Sequence, residues 1–126
     1  MKPLVHARSS ARKFGGKPED YLFIHEKMDS SKAAHATVAH RCVFHSAFGI
    51  FLIEELLGRT MTNSDGREVF VRDVAEQHVL EDLGFIPSLS DWLKEMPDKP
   101  WMAGVRTLKA SDVEIVPAST GKRGSD

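Results

Sequence analysis

The chain has 126 residues, 41% apolar and 28% charged, with a formal net charge of −1 at pH 7, the proportions of one globular domain. No apolar run is long enough to span a bilayer, because Glu54 and Glu55 interrupt the longest, and the opening MKPLVHARSS lacks the apolar core of a secretory signal. Cys42 is the lone cysteine, so no internal disulfide can form and the expected setting is a reducing cytoplasm.

The elements read mostly as helix. PLVHARSSARKFGG predicts a first short helix, stopped by Gly15 and Gly16. KPEDYLFIHEKMD predicts a second, with Pro18 in its first turn and Glu19 and Asp20 at its positive end. Asp29 or Ser30 then caps a third and longest helix, SSKAAHATVAHRCVFHSAFGIFLIEELLG, ended by Gly58. From Val38 to Leu57 it is apolar nearly all round, which predicts a path through the centre of the domain. In RTMTNSDGREVFVRD, Asp65-Gly66 between β-prone flanks predicts a hairpin over residues 60–71. Too few oxygen donors have the spacing of a calcium loop there.

Asp73 and Glu76 fit a capping box for a fourth helix, DVAEQHVLEDLG, and Ser88 with Asp91 repeats the device for a short fifth. Trp101 in KPWM is expected to fold back as a core lid. The expected architecture is thus mainly α (α+β): a single domain over residues 1–106, about five helices around a long central one, with one β-hairpin. Residues 107–126 read as a flexible C-terminal tail, in which VEIV could add an edge strand.

Charge is distributed unevenly. Residues 1–17 hold Lys2, Arg8, Arg12, Lys13 and Lys17 without an acid, whereas residues 73–98 are acidic with Lys94 the one base. Arg8, Arg12 and Lys13 are therefore candidates for holding phosphate or nucleic acid. No interleaved aromatic and basic pattern supports nucleic acid, which is not favoured. The plainer reading is two solvated faces.

Glu81 and Asp82 pose a sharper question, because carboxylates at a helix C-terminus oppose its dipole. His78 and Asp82 stand four apart and share a helix face, offering nitrogen and oxygen donors from one rigid element. His25 and Asp29 repeat that spacing, although Asp29 also suits a cap. His45 lies on a stripe with Ala34, Val38, Arg41 and Leu52, Glu55 at its edge, and Gly49 leaves room beside it for a backbone or a ligand. Arg41 disfavours an imidazolium there. His40 and His45 are five apart, roughly 140° around a straight helix, and do not form a ligand pair. His35 is assigned to solvent. Cys42 reads as a small apolar residue rather than a nucleophile served by His45.

Packing of the second, central and fourth helices could bring His25, His45 and His78 together with Asp82, a donor set for zinc, manganese or iron with an open position. The alternatives are a surface hydrogen bond at His78–Asp82 and a satisfied core imidazole at His45.

The segments HARSSARKFGGKPEDY, HEKMDSSKA, HRCVFHSAFGIFLIEELLG, TNSDGREVFVRDVAEQHVLEDLGFIPSLSDWL and PWM resemble an uncharacterised family of small bacterial and bacteriophage proteins, in that order over residues 6 to 102. The resemblance implies histidine as a family feature at His6, His25, His40, His45 and His78. This chain departs from the family's more basic, histidine-rich pattern at Ala39, Phe44 and Ser46. The family has the status of a domain of unknown function, so the resemblance implies a phage or mobile-element setting and no defined activity.

Three functions follow as expectations. The first is a cytoplasmic accessory protein binding a divalent metal through His25, His45, His78 and Asp82, extending to a metal-dependent hydrolase in which His25 or Glu55 relays protons. The second is an interaction protein for a host or phage partner, with structural histidines. The third is a phosphate or nucleic-acid binder using Arg8, Arg12 and Lys13. No membrane partner is expected.

Overall fold

The structure, a computed structural model, describes residues 1–107. Its first compact unit, Met1–Glu95, holds five α-helices and one hairpin, and a second unit begins at Met96. The helices are α1 (Pro3–Phe14), α2 (Leu22–Met28), α3 (Ala47–Leu57), α4 (Val71–Leu83) and α5 (Leu89–Leu93). Strands β1 (Thr60–Thr62) and β2 (Glu68–Phe70) pair antiparallel, Met61 opposite Val69. The mainly helical α+β class is as expected. No described helix is long and apolar enough to cross a membrane.

The long central helix does not form. Its sequence is divided among two 3-10 turns, Ser30–Ala33 and Val38–Cys42, and α3. Side-chain hydroxyls explain the breaks, since Ser and Thr offer the backbone partners that compete with a helical ladder. Ser30 Oγ donates to the Lys27 carbonyl, Thr37 Oγ1 accepts from Ala39 N–H, and Ser46 Oγ accepts from Gly49 N–H. Ser46 is extended and caps α3. A Cβ on Gly49 would lie 2.3 Å from the Phe44 carbonyl oxygen, so glycine there admits the backbone of the bend. Val38, expected at the centre, is 70% exposed.

The central helix is instead α4, which packs against α1, α2 and α3. It starts two residues before the expected cap because β2 feeds straight into it: Phe70 is extended and Val71 N–H donates to the Arg59 carbonyl at 2.9 Å. Asp73 therefore lies in the first turn, where its charge suits the dipole, and Glu76 pairs with Arg72 at the surface rather than closing a capping box. The box at Ser88 and Asp91 does form. α4 buries Val71, Val74, Ala75 and Val79 in a core completed by Ala7, Phe14, Tyr21, Ile24, Met28, Ile50, Ile53 and Val69.

The hairpin docks by its turn. Buried Asn63 donates from Nδ2 to the Phe14 carbonyl and to Tyr21 Oη, while its Oδ1 accepts from Asp65 and Arg67 N–H. Asp20 Oδ2 accepts from Ser64 N–H and Oγ–H, and Asp65 Oδ2 accepts from Gly16 N–H. FGGKPEDY and TNSDGR are thus two halves of one structural joint, not a ligand loop.

In the second unit, residues Pro100–Thr107 form a 3-10 segment kinked at Gly104. Trp101 is 75% exposed, so it is no core lid. The expected tail falls, from residue 108 onward, outside the described residues.

Candidate metal centre

Four segments deliver fully buried imidazoles to one region: His6 from α1, His25 from α2, His45 from the bend before α3, and His78 from α4. Breaking the expected long helix is what aims His45 inward, and two bonds to the α5 region hold its bend: Trp92 Nε1–H donates to the His45 carbonyl and Ala47 N–H to that of Pro87.

Asp82, its side chain 1% exposed, is the hub. Its Oδ2 lies 2.9 Å from His45 Nε2 and 3.2 Å from His78 Nε2, and its Oδ1 lies 3.2 Å from His6 Nε2. Asp29, just after α2, places Oδ1 3.1 Å from His78 Nε2 and 3.7 Å from His45 Nε2. Donor atoms of Asp29, His45, His78 and Asp82 all lie within 4.8 Å of one another, so this group could hold a metal ion. Tetrahedral donors at zinc distances stand about 3.4 Å apart, close to the imidazole–carboxylate separations here.

The surrounding hydrogen bonds fix the protons. Gln77 donates from Nε2 to the His6 carbonyl and to Glu81 Oε1, so its Oε1 accepts from Ser10 Oγ–H at 2.5 Å. Ser10 Oγ, its proton committed there or to the His6 carbonyl, accepts from His25 Nε2–H at 2.8 Å. Neutral His25 then has a bare Nδ1 and receives the Nδ1–H of His78, 2.8 Å away. The consequence falls on His78 Nε2: its lone pair points at two carboxylate oxygens. Such an arrangement is repulsive unless a proton or a metal ion lies between.

Electrostatics agree. Burial, then the neighbouring His78 and His6, push His25 down to about 3, so it stays neutral. Burial also lowers His45, outweighing its bond to Asp82. In His78 burial is overcome by the bonds to Asp29 and Asp82, and its pKa rises. Burial would raise Asp82, Asp29 and Glu81, yet all are lowered: Asp82 by His45, His6 and His78, Asp29 by His78, and Glu81 by Ser9, His6 and Gln77.

The structure therefore brings His45, His78 and Asp82 together and adds Asp29, whose carboxylate makes no cap bond. His25 stands behind His78. His6, His25 and His78 offer a second cluster of nitrogens, but the proton shared between His25 and His78 occupies the space an ion would need. His6 and Glu81 were not assigned to the site from the sequence; their signs were the pair of acids closing α4 and the family histidine implied at His6. Glu81 Oε1 accepts from His6 Nδ1 at 2.7 Å and its Oε2 accepts from Ser9 Oγ–H.

Other expected residues lie elsewhere. Glu55 is exposed, which removes it as a proton relay. His35 is exposed, as expected. His40 accepts or donates at Ser31 Oγ and meets His45 edge-on, with ring centroids 6.3 Å apart. Cys42 is half-buried. Arg8, Arg12 and Lys13 are exposed on α1, on residues outside its buried set of His6, Ala7, Ser10 and Phe14.

No curated protein and no solved structure matches the chain. A family model described as Domain of unknown function (DUF6915) matches residues 1–102, a span that includes α1 to α5 and every residue of the site. The chain belongs to this family of unknown function.

Proposed function

We propose that the protein binds a divalent metal ion, zinc, manganese or iron, through His45, His78, Asp82 and Asp29. The observation that carries this reading is the wiring of His78. Its Nδ1 proton is committed to His25, which leaves Nε2 facing Asp29 Oδ1 at 3.1 Å and Asp82 Oδ2 at 3.2 Å. Two imidazoles and two carboxylates suit a borderline cation better than calcium, which takes oxygen donors only.

The ligands come from three separated segments, so the metal would also tie α2, α4 and the bend before α3 together. Asp29 is 22% exposed while the other three are nearly or fully buried. The coordination sphere thus has its solvent side at Asp29. This favours a water-bearing centre and, as its chemistry, hydrolysis by metal-activated water. Arg41 Nη2, partly exposed, lies 3.9 Å from Asp82 Oδ2.

The test is metal analysis of protein purified without a histidine tag, followed by zinc titration of the metal-free chain. Stoichiometric binding, lost in His78→Gln or Asp82→Asn and accompanied by a raised Tm in the native sequence, is the expected result. A folded chain that takes up no ion and shows no thermal shift would leave the histidines as a hydrogen-bonded core, with His78 held as an imidazolium between its carboxylates.

A further inference from the structure

We infer that Asp82 bridges two cations, the second held between its Oδ1 and His6 Nε2. The inference rests on the metal reading above but uses different atoms. His6 is fully buried, and its Nε2 has no hydrogen-bond partner among the described residues. The other ring nitrogen is committed: Glu81 Oε1 can only accept, so Nδ1 carries the proton at 2.7 Å. Glu81 is itself held by Ser9 and Gln77, which fixes the ring's orientation.

With Nδ1 bound to Glu81, the other ring nitrogen faces Asp82 Oδ1 at 3.2 Å, an oxygen that also receives the Met1 α-ammonium at 3.4 Å. That is the same unresolved contact as at His78, on the opposite oxygen of the same carboxylate. The His6 and His78 rings stack with centroids 3.8 Å apart, and both put Nε2 against Asp82, His6 on Oδ1 and His78 on Oδ2. His6 is also outside the group of four whose donors lie within 4.8 Å of one another. Its lone pair serves a separate position.

An ion on Oδ2 and an ion on Oδ1 of one carboxylate stand roughly 3.5–4 Å apart, the spacing of two-metal hydrolytic centres. The protein gives the second ion two donors against four for the first, and the Met1 α-ammonium, 3.4 Å from Oδ1, must give way to it. It binds second and more weakly. This arrangement also accounts for a buried Asp surrounded by three imidazoles, when a single ion needs only one of its oxygens.

The experiment is titration of the metal-free full chain with Mn²⁺, read by bound stoichiometry and electron paramagnetic resonance. Two ions per chain are expected, the second at least about tenfold weaker, with the spin-coupled signal of a bridged pair. His6→Gln keeps a donor for Glu81 but lacks the imidazole; it should bind one ion and lose the coupling. An adventitious ion on exposed His35 would raise the stoichiometry without coupling. One uncoupled ion in the native sequence overturns the bridge and leaves the proposed function standing. No bound ion overturns both. Should His6→Gln fail to fold, the native stoichiometry and coupling decide alone.

Discussion

The Nδ1 atoms of His25 and His78 lie 2.8 Å apart, and only one of them can carry the proton between them. His25 Nε2 is bound to Ser10 Oγ, so the proton belongs to His78. Two histidines with equal burial thus have unequal tasks: His78 presents a ligand nitrogen, and His25 holds that ring in one tautomer and orientation. A partner for the remote nitrogen of a ligand histidine commonly governs metal affinity.

His25→Gln should accordingly weaken zinc binding by about 10- to 100-fold, the usual cost of losing such a partner, with the four donors intact and stoichiometry retained. Ser10→Ala, one bond further out, should act in the same direction and less strongly. Competition with a chromophoric chelator measures both. Unchanged affinity in His25→Gln would mean that the His25–His78 bond has no bearing on the ligand.

The turn of the hairpin is a separate structural device, and a glycine tests it. Gly16 has φ +74°, a left-handed conformation costly for any residue with a Cβ, and a Cβ there would lie 2.9 Å from that of Asn63. Gly16→Ala should cost about 2 kcal/mol or more, from backbone strain and loss of the Asn63 contacts together. Urea denaturation reads the loss, and zinc stoichiometry of the folded fraction should not change. If Gly16→Ala is as stable as the native chain, Asn63 and Gly16 do not form the joint described.

Some helix ends and the hairpin turn were legible because their signals are local, whereas the start of α4 was not: β2 overrides the cap expected at Asp73. Gly15, Asp65-Gly66, Ser88 with Asp91 and the αL residue Gly84 each fix a few dihedral angles through their own chemistry. The long third helix was misread because apolar content alone says nothing about direction. Gly49, read as leaving room beside His45, and Ser46, read only as a departure from the family pattern, are the residues that bend the chain and turn His45 inward.

At the site, the i,i+4 spacing of His78 and Asp82 was a real signal, since both sit on one continuous helix. The equal spacing of His25 and Asp29 pointed to the right carboxylate through the wrong geometry. α2 ends at Met28, so the two side chains diverge, His25 behind His78 and Asp29 in front of it. His6 could not be placed at all. Its role depends on the packing of α1 against α4, a long-range contact that no local pattern encodes.

pH should separate the metal-free from the metal-bound state through His78. Although burial opposes it, the bonds to Asp29 and Asp82 raise the His78 pKa above its ordinary 6.5, so the metal-free chain holds that proton to higher pH than a free imidazole does. A metal ion must displace that proton. Zinc affinity should therefore climb by up to about tenfold per pH unit up to the raised pKa and level off above it.

Stability has the opposite slope from this group. A raised folded pKa contributes stability that is fully present below 6.5 and disappears as pH rises through the folded value. The metal-free Tm should fall across that alkaline window, while the zinc-bound Tm holds, because the cation takes the proton's place between His78 and the carboxylates. His78→Gln should abolish both effects. Zinc affinity that does not vary between pH 6 and 7.5, measured at constant ionic strength, would show that no proton at His78 competes with the ion.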